Sequence, residues 1–390
     1  MEIIYSNFDG LDMSFQCFIP EWILETLLKT KEDAQKMRQE AVARLGKNQI
    51  PVLVGETGAK GGFTYRFDTG FHGETWFIVH SKKRDGWNVK VSVKSVTMAL
   101  YGYEGVKDKI LNFLTNDLEA KGPIRKNNYD EIIETPLERI SRVDYCIDFK
   151  TAHFLPVADC FVAGGRFKKH LLLTHETNKE TATIIFEGRN VKYFRIGTMP
   201  NRQIVLYDKI SDITDKKKNY WWEIWGINKS EFKGKIWRLE IRAGKKELNK
   251  WNLRRFNDFE SKIGNVISST LKDIKYTIPS ETDKNITRWP LALFWKQAID
   301  ISEERLESYI SDAKRKLIIE GHRRALMSQM EKLILGSTLS YAALYGMDIS
   351  EIPAVLDILG EVIIQNVKEN PAKYIKKHQD SVDKYAELNG

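Results

Sequence analysis

The sequence predicts an α+β protein: an antiparallel β-sheet domain flanked by helices, with an all-helical C-terminal region. Short segments with apolar side chains at every second position recur through residues 1–280. Turn signals separate them, such as Thr69-Gly70, Asp85-Gly86 and Gly197-Thr198-Met199-Pro200-Asn201. The polar, turn-rich PSETDKNITRWP (Pro279–Pro290) then interrupts the pattern, and beyond it the apolar period becomes helical. The domains are therefore drawn at 1–280 and 291–390.

In chain order, residues 11–19 predict a first strand and Pro20–Ala43 a helix that starts at its proline and covers the sheet. Gly55-Glu56-Thr57-Gly58-Ala59-Lys60-Gly61-Gly62 is glycine-rich, but no Ser or Thr follows a Gly-Lys pair, so it is a flexible hairpin loop or a substrate-facing flap and not a phosphate loop. FTYRFDTG, ETWFIVHS and WNVKVSVKS then predict an antiparallel series. Gly105–Ala120 is amphipathic, with Val106, Ile110, Phe113, Leu114 and Leu118 at helical spacing. Pro123, Asn127 and Asn128 mark a loop. Residues 245–274 predict a helix with Lys245, Lys246, Arg254 and Arg255 on a basic face.

Three strands carry a polar stripe. In SRVDYCIDFK, Arg142, Asp144, Cys146 and Asp148 share one face, against Val143, Tyr145, Ile147 and Phe149. In RQIVLYDK, Gln203, Val205 and Tyr207 oppose Arg202, Ile204, Leu206 and Asp208. In IWRLEIR, Arg238, Glu240 and Arg242 oppose Trp237, Leu239 and Ile241. Two readings stand side by side. The stripes are the wet face of a sheet whose charges neutralise one another across strands. Alternatively, acids gathered beside a tyrosine form a site whose oxygen donors suit Mg²⁺ or Mn²⁺ better than zinc.

Composition bounds the reading further. The chain has 390 residues, of which 42% are hydrophobic, so it can build a substantial core. Its net charge of +8 favours a polyanionic partner. Cys17, Cys146 and Cys160 are too few and too scattered for a disulfide framework or a zinc knuckle. Neither a signal peptide pattern nor a long apolar run occurs, so a soluble, cytoplasmic protein with no membrane contact is expected. Other basic segments are Gly164–Lys169, a phosphate contact or a solvated loop, and the C-terminal cluster of Lys314, Arg315, Lys316, Arg323 and Arg324, which binds duplex DNA or a partner or is a solvated helix face. Trp221, Trp222 and Trp225 beside lysines make either a base-stacking platform or a small core.

The order RVDYCIDF, GRNVKYFRIG…RQIVLYDK and WRLEIRAGKKEL resembles the Rep_trans class of rolling-circle replication initiators from plasmids and phages, which includes relaxases of some conjugative elements. The likeness spans about residues 139–248. Its pattern is an R-x-D-x-x-x-D strand, a Y-[DEN]-K strand and a W-R-x-E strand. FDGLDMSF and GGFTYRFDTG are similar to such initiators as well.

The resemblance implies a DNA-nicking sheet domain. Tyr207 would attack a phosphodiester to leave a 5′-phosphotyrosine, with Lys209 stabilising phenolate or phosphate. Asp144, Asp148 and Glu240 would hold Mg²⁺ or Mn²⁺. Arg142, Arg238 and Arg242 would grip phosphates, with Arg195, Arg202 and Lys192 completing the DNA-contacting set. The His-hydrophobic-His triplet that many nicking enzymes use is absent from the seven histidines, and His170 and His175 read as ordinary sheet or turn residues. The implied partners are origin or transfer-site DNA, a host helicase, since no helicase motif occurs, and a second copy of the chain. The competing reading is a DNA-binding protein on the same scaffold without catalysis.

Overall fold

The computed structural model describes residues 1–70, 73–80, 86–126, 132–152, 154–157, 160–163, 182–187, 190–216, 218, 220–285, 288–305, 315–375 and 378. Asp85, Asn127, Asn128, the 164–169 run, His170, His175 and Lys314 lie outside the described residues.

The first half runs β1 (Glu2–Gln16), α1 (Glu21–Met37), β2 (Ala41–Leu45), β3 (Ile50–Val54), β4 (Tyr65–Asp68), β5 (Thr75–Ile78), β6 (Trp87–Val93) and α2 (Ser95–Asn112). A small hairpin, β7 (Arg125–Lys126) and β8 (Ile132–Ile133), leads to β9 (Leu137–Thr151). Then follow β10 (Phe161–Ala163), β11 (Ala182–Glu187), β12 (Asn190–Gly197), β13 (Arg202–Asp208), α3 (Lys209–Asp215), α4 (Tyr220–Trp225) and β14 (Lys235–Gly244). The remainder is α5 (Lys245–Lys250), α6 (Phe256–Asp273), β15 (Ile274–Tyr276), α7 (Leu293–Arg305), α8 (Arg315–Leu344) and α9 (Ile352–Glu369). This is the α+β architecture that the strand and helix periods predict.

Eleven strands form one antiparallel sheet in the order β11-β12-β13-β14-β9-β1-β6-β5-β4-β3-β2. Two similar meanders meet at its centre. From β1 outwards the neighbours are β6, β5, β4, β3 and β2, and from β9 outwards they are β14, β13, β12 and β11. Each half thus begins in the middle, goes to the edge and returns beside its own first strand.

One face of this sheet is the core. Val143, Tyr145, Ile147 and Phe149 on β9 lie level with Ala243, Ile241, Leu239 and Trp237 on β14, all buried. Helices α2 and α6 close over them, bringing Tyr103 and Phe259 into a stack 4.3 Å apart beside Phe8. Burying this many large apolar side chains is the dominant stabilising term.

Several boundaries differ from the sequence reading. β1 starts at Glu2 and not at residue 11, because a bulge near Gly10 breaks its alternation. The helix at Pro20 stops at Met37, and Ala41, Ala43 and Leu45 turn their apolar side into the core as a strand, which overrides the helix propensity of that stretch. α2 begins at Ser95, ten residues before the predicted helix. The helix after Gly244 is two, split where Asn252 adopts a left-handed backbone at φ 55°.

The chain divides into two compact units, Met1–Asn249 with Leu253–Ser311, and Lys250–Asn252 with Asp312–Gly390. The division falls later than the polar segment at 279–290. The reason is aromatic packing: Phe294 and Trp295 of α7 pack against Phe149, Phe154, Phe161 and Tyr276. In the second unit, α8 and α9 are joined through a turn capped reciprocally by Asp348 and Glu351.

Candidate active site on the polar face of the sheet

The other face of β9, β14 and β13 carries the three predicted stripes, and the register places them side by side. Asp148, Cys146 and Asp144 lie level with Arg238, Glu240 and Arg242, which lie level with Tyr207, Val205 and Gln203. In an antiparallel ladder, directly paired residues project to the same side. The acids, the arginines and Tyr207 therefore share one surface.

Tyr207 stands near the end of β13, between Arg238 and Tyr193 of the neighbouring strands. The hairpin behind it turns at Gly197, whose φ of 88° and 2.2 Å approach of a would-be Cβ to the Arg202 carbonyl exclude other residues. Asp208 then ends the strand and caps α3, its Oδ1 accepting the amides of Ile210 and Ser211 at 3.0 and 3.2 Å. That cap turns Lys209 back over the sheet. Its side chain, 3% exposed, donates to the Tyr207 hydroxyl at 3.4 Å and to Asp212 Oδ2 at 2.9 Å.

Tyr207 is half-buried, and its phenol is pushed well above the ordinary value. Burial is the first cause, and the negative charge of Glu240 is the second, against the lowering effect of Arg238. Asp212 is also pushed up by burial, but Lys209 and Lys216 outweigh that and hold it below the usual range.

Glu240 and Asp144 are buried, interacting carboxylates. Burial, then Glu240, pushes Asp144 up to about 7 in spite of Arg142, whose Nε and terminal nitrogen hold both its oxygens at 2.9 and 2.6 Å. Burial acts upward on Glu240 too, but Arg242, donating at 2.7 Å, prevails and keeps it low. The result is two neighbouring acids driven apart in acidity. Beside them, Gly10 of β1 is level with Asp144, and a Cβ there would come within 3.4 Å of Asp144 Oδ2. Its missing side chain leaves that flank open.

Asp148 differs. It is 0% exposed, and both its oxygens are taken: Arg238 grips them at 2.6 and 2.7 Å, and the Trp225 indole donates at 2.8 Å. It lies two pairs from Asp144, about 13 Å along a strand. Among the described residues no three His, Cys, Asp or Glu side chains gather in a metal-holding group, so the predicted set of Asp144, Asp148 and Glu240 is not assembled. Asp148 is a partner of Arg238.

The arginines sort by exposure. Arg142 and Arg242 are partly exposed on the site face. Arg238 is a correction to the DNA-contacting set: it is 0% exposed, bound to Asp148 and Asp9, with its guanidinium 4.1 Å from the Trp221 ring. Arg195 lies level with Val205, on the face of Tyr207. Arg202 is on the opposite face, paired to Asp273 at 2.7 Å and Glu247 at 3.9 Å, while Lys192 falls where the pairing of β11 with β12 shifts register, so strand parity assigns it to neither face. Strand parity removes Arg202 from the site.

Trp221, Trp222 and Trp225 are buried with Ile213 and Ile236, so the tryptophan cluster is a small core over one end of the stripe and not a stacking platform. Asp9, and the role of Trp225 as a hydrogen-bond donor to Asp148, were missed by sequence reasoning. Asp9 sits at the β1 bulge, accepting from Arg238 at 2.6 Å and from the Cys146 thiol at 3.6 Å. The signal was present, since Phe8 and Leu11 are both apolar and three apart, which a plain strand cannot bury on one side.

No helix among the described residues is long and apolar enough to cross a membrane. No family model matches the chain, and no curated protein matches it. Among solved structures it is similar to the rolling circle replication initiator protein from Geobacillus stearothermophilus, at 15% identity and a TM-score of 0.39, over 79% of this chain and 98% of that one. At that level the likeness says nothing of what this chain does.

Proposed function

We propose that the chain is a DNA-nicking and strand-joining protein that starts rolling-circle replication or element transfer, using Tyr207 as nucleophile. The observation that supports this most is the placing of Tyr207, the Lys209 ammonium at 3.4 Å, and the Asp144–Glu240 pair on one surface of the sheet.

In this reading the Tyr207 oxygen attacks the scissile phosphorus as the phenol gives up its proton. A bond forms between that oxygen and phosphorus, and the P–O3′ bond breaks. The 3′ oxygen leaves and takes up a proton, so the 5′ phosphate stays on the tyrosine and a 3′ hydroxyl is freed. Reversal by an incoming 3′ hydroxyl rejoins strands. Burial and Glu240 oppose ionisation of the phenol, so positive charge is required beside it. Lys209 supplies part of that charge by donating to the hydroxyl oxygen as it becomes anionic. In the same reading Arg142, Arg242 and Arg195, which share the face of Tyr207, meet flanking phosphates.

Asp144 and Glu240 are the residues that would hold Mg²⁺ or Mn²⁺. Both are hard oxygen donors, the flank at Gly10 is open, and magnesium is commonly held by one or two carboxylates with water and substrate phosphate completing its shell. When bound, the ion would polarise the scissile phosphate. Strand separation is left to a host helicase, and action as a pair of copies belongs to the same proposal.

The second reading, DNA binding without catalysis, is favoured by one observation: Asp144, Asp148 and Glu240 each already have an arginine partner. Incubation with single-stranded origin or transfer-site oligonucleotides and Mg²⁺ or Mn²⁺ separates the two. The nicking reading expects cleavage with a protein-linked 5′ end. Salt-sensitive binding that ignores divalent ions, with no cleavage of any candidate site, would favour the second.

A further inference from the structure

The polar face does not end at the acids. β9 and β1, the first strands of the two meanders, pair with each other at the centre, so the surface that carries Tyr207 continues onto β1, β6, β5 and β4. Gln16 is level with Trp87, Lys90 with Phe77, and Phe77 with Arg66, while Arg139 of β9 is level with Ser14. A second bulge between Phe15 and Gln16 puts Trp87 on this face, where it is 42% exposed.

Aromatic rings and cations alternate across it. The Arg139 guanidinium lies 5.9 Å from the Trp87 ring, Lys90 Nζ lies 5.6 Å from the Phe77 ring, and Phe63 is 5.8 Å from Phe77. Four cations, Arg139, Lys90, Arg66 and Lys94, face two acids, Asp12 and Asp68. Among the described residues Arg139 has no acidic partner, and its Nε is buried without a hydrogen bond. Helices α1 and α2 leave the surface open. They pack where Ala43, Val52 and Val91 are buried, while Val42 and Leu53 on the aromatic side stay exposed.

We propose that this half of the face is a platform for single-stranded DNA, with Trp87 and Phe77 stacking bases and Lys90, Arg139 and Arg66 meeting phosphates. Unpaired bases have free faces to stack, whereas those of a duplex are already stacked, and an open sheet bearing aromatics among cations suits the former. The excess of cations matches a polyanion, and the surface is continuous with the candidate active site. From β13 to β6 there are four strand steps, roughly 19 Å, a span for a few nucleotides leading to Tyr207. The proposal rests on the nicking reading for its direction, but not for its existence.

The test uses the full chain carrying Tyr207→Phe, without divalent ions, and anisotropy of a fluorescein-labelled oligothymidylate. Trp87→Ala is expected to weaken binding roughly tenfold or more, and Trp87→Phe to retain most of it. Lys90→Gln and Arg139→Gln are expected to weaken binding and flatten its salt dependence. Thermal melts establish that each variant is folded. Equal affinities across folded variants, or a hairpin duplex competing as well as the single strand, overturn the platform. So does altered sedimentation of Trp87→Ala with unaltered oligonucleotide binding, which assigns the face to a second copy. The nicking reading is tested apart from this: with Tyr207 intact, Trp87→Ala still yields the covalent adduct at saturating DNA if that reading holds.

Discussion

Lys209 Nζ lies 3.4 Å from Tyr207 Oη because Asp208, the residue between them, ends a strand and caps a helix in one step. Three consecutive residues thus supply a phenol, a turn and an ammonium group beside the phenol. Lys209→Met is expected to slow single-turnover nicking by about 10²- to 10³-fold, the usual effect of removing one donor from a developing anion. Lys209→Arg is expected to recover part of the rate. Because the change also leaves Asp212 with one fewer partner, melting temperatures are compared alongside the rates.

Arg238 is fully buried between Asp148 and Asp9, and its expected effect is on stability. Arg238→Gln strips the fully buried Asp148 and the half-buried Asp9 of their cation. Breaking such a pair from one side costs about 3–5 kcal/mol. Urea unfolding should register that loss. A variant of unchanged stability with weakened DNA binding would instead make Arg238 a phosphate contact.

Asp144 gives the stability a pH dependence. Its acidity is pushed up to about 7 by burial and Glu240, so its favourable contribution is complete below about pH 4 and is lost as the pH rises through about 7. Asp144→Asn cannot ionise and lacks this component. The melting temperature of the variant minus that of the wild type should therefore grow more positive from about pH 5 to about pH 8, while nicking is lost. A difference that is flat with pH contradicts the assignment.

Divalent cations should stabilise the protein through the same pair. At a hundredfold excess over the dissociation constant, Mg²⁺ or Mn²⁺ adds about 2.7 kcal/mol to the folded state. Scanning fluorimetry should show a rise in melting temperature for the wild type that Asp144→Asn and Glu240→Gln both lack. Asp148→Asn should keep the cation-dependent rise, since Asp148 is committed to Arg238 and Trp225.

Much of this was legible in the sequence, and the failures have physical causes. Period-two alternation in SRVDYCIDFK, RQIVLYDK and IWRLEIR placed Asp144, Glu240 and Tyr207 on one surface, because strand parity is local. The same parity puts Arg202, one of the residues the resemblance adds to the DNA-contacting set, on the opposite face. What parity cannot give is which charge meets which across strands. Asp148 looked equivalent to Asp144 until the fold brought Trp225 and Arg238 onto it. The bulges at Gly10 and Gln16 were overlooked because an extra residue in a strand reads as broken alternation, and so residues 2–10 and the exposure of Trp87 were missed. The strand at Ala41–Leu45 was hidden by residues that favour helix when isolated.

The central claim is that the Tyr207 oxygen becomes bonded to DNA. The direct measurement is mass spectrometry of the peptide cross-linked to a cleaved single-stranded substrate in Mg²⁺ or Mn²⁺, beside the Tyr207→Phe protein. The account predicts a nucleotide adduct on Tyr207 and none in the variant, which should still fold and bind DNA. An adduct on another residue, or cleavage undiminished by Tyr207→Phe, would contradict it.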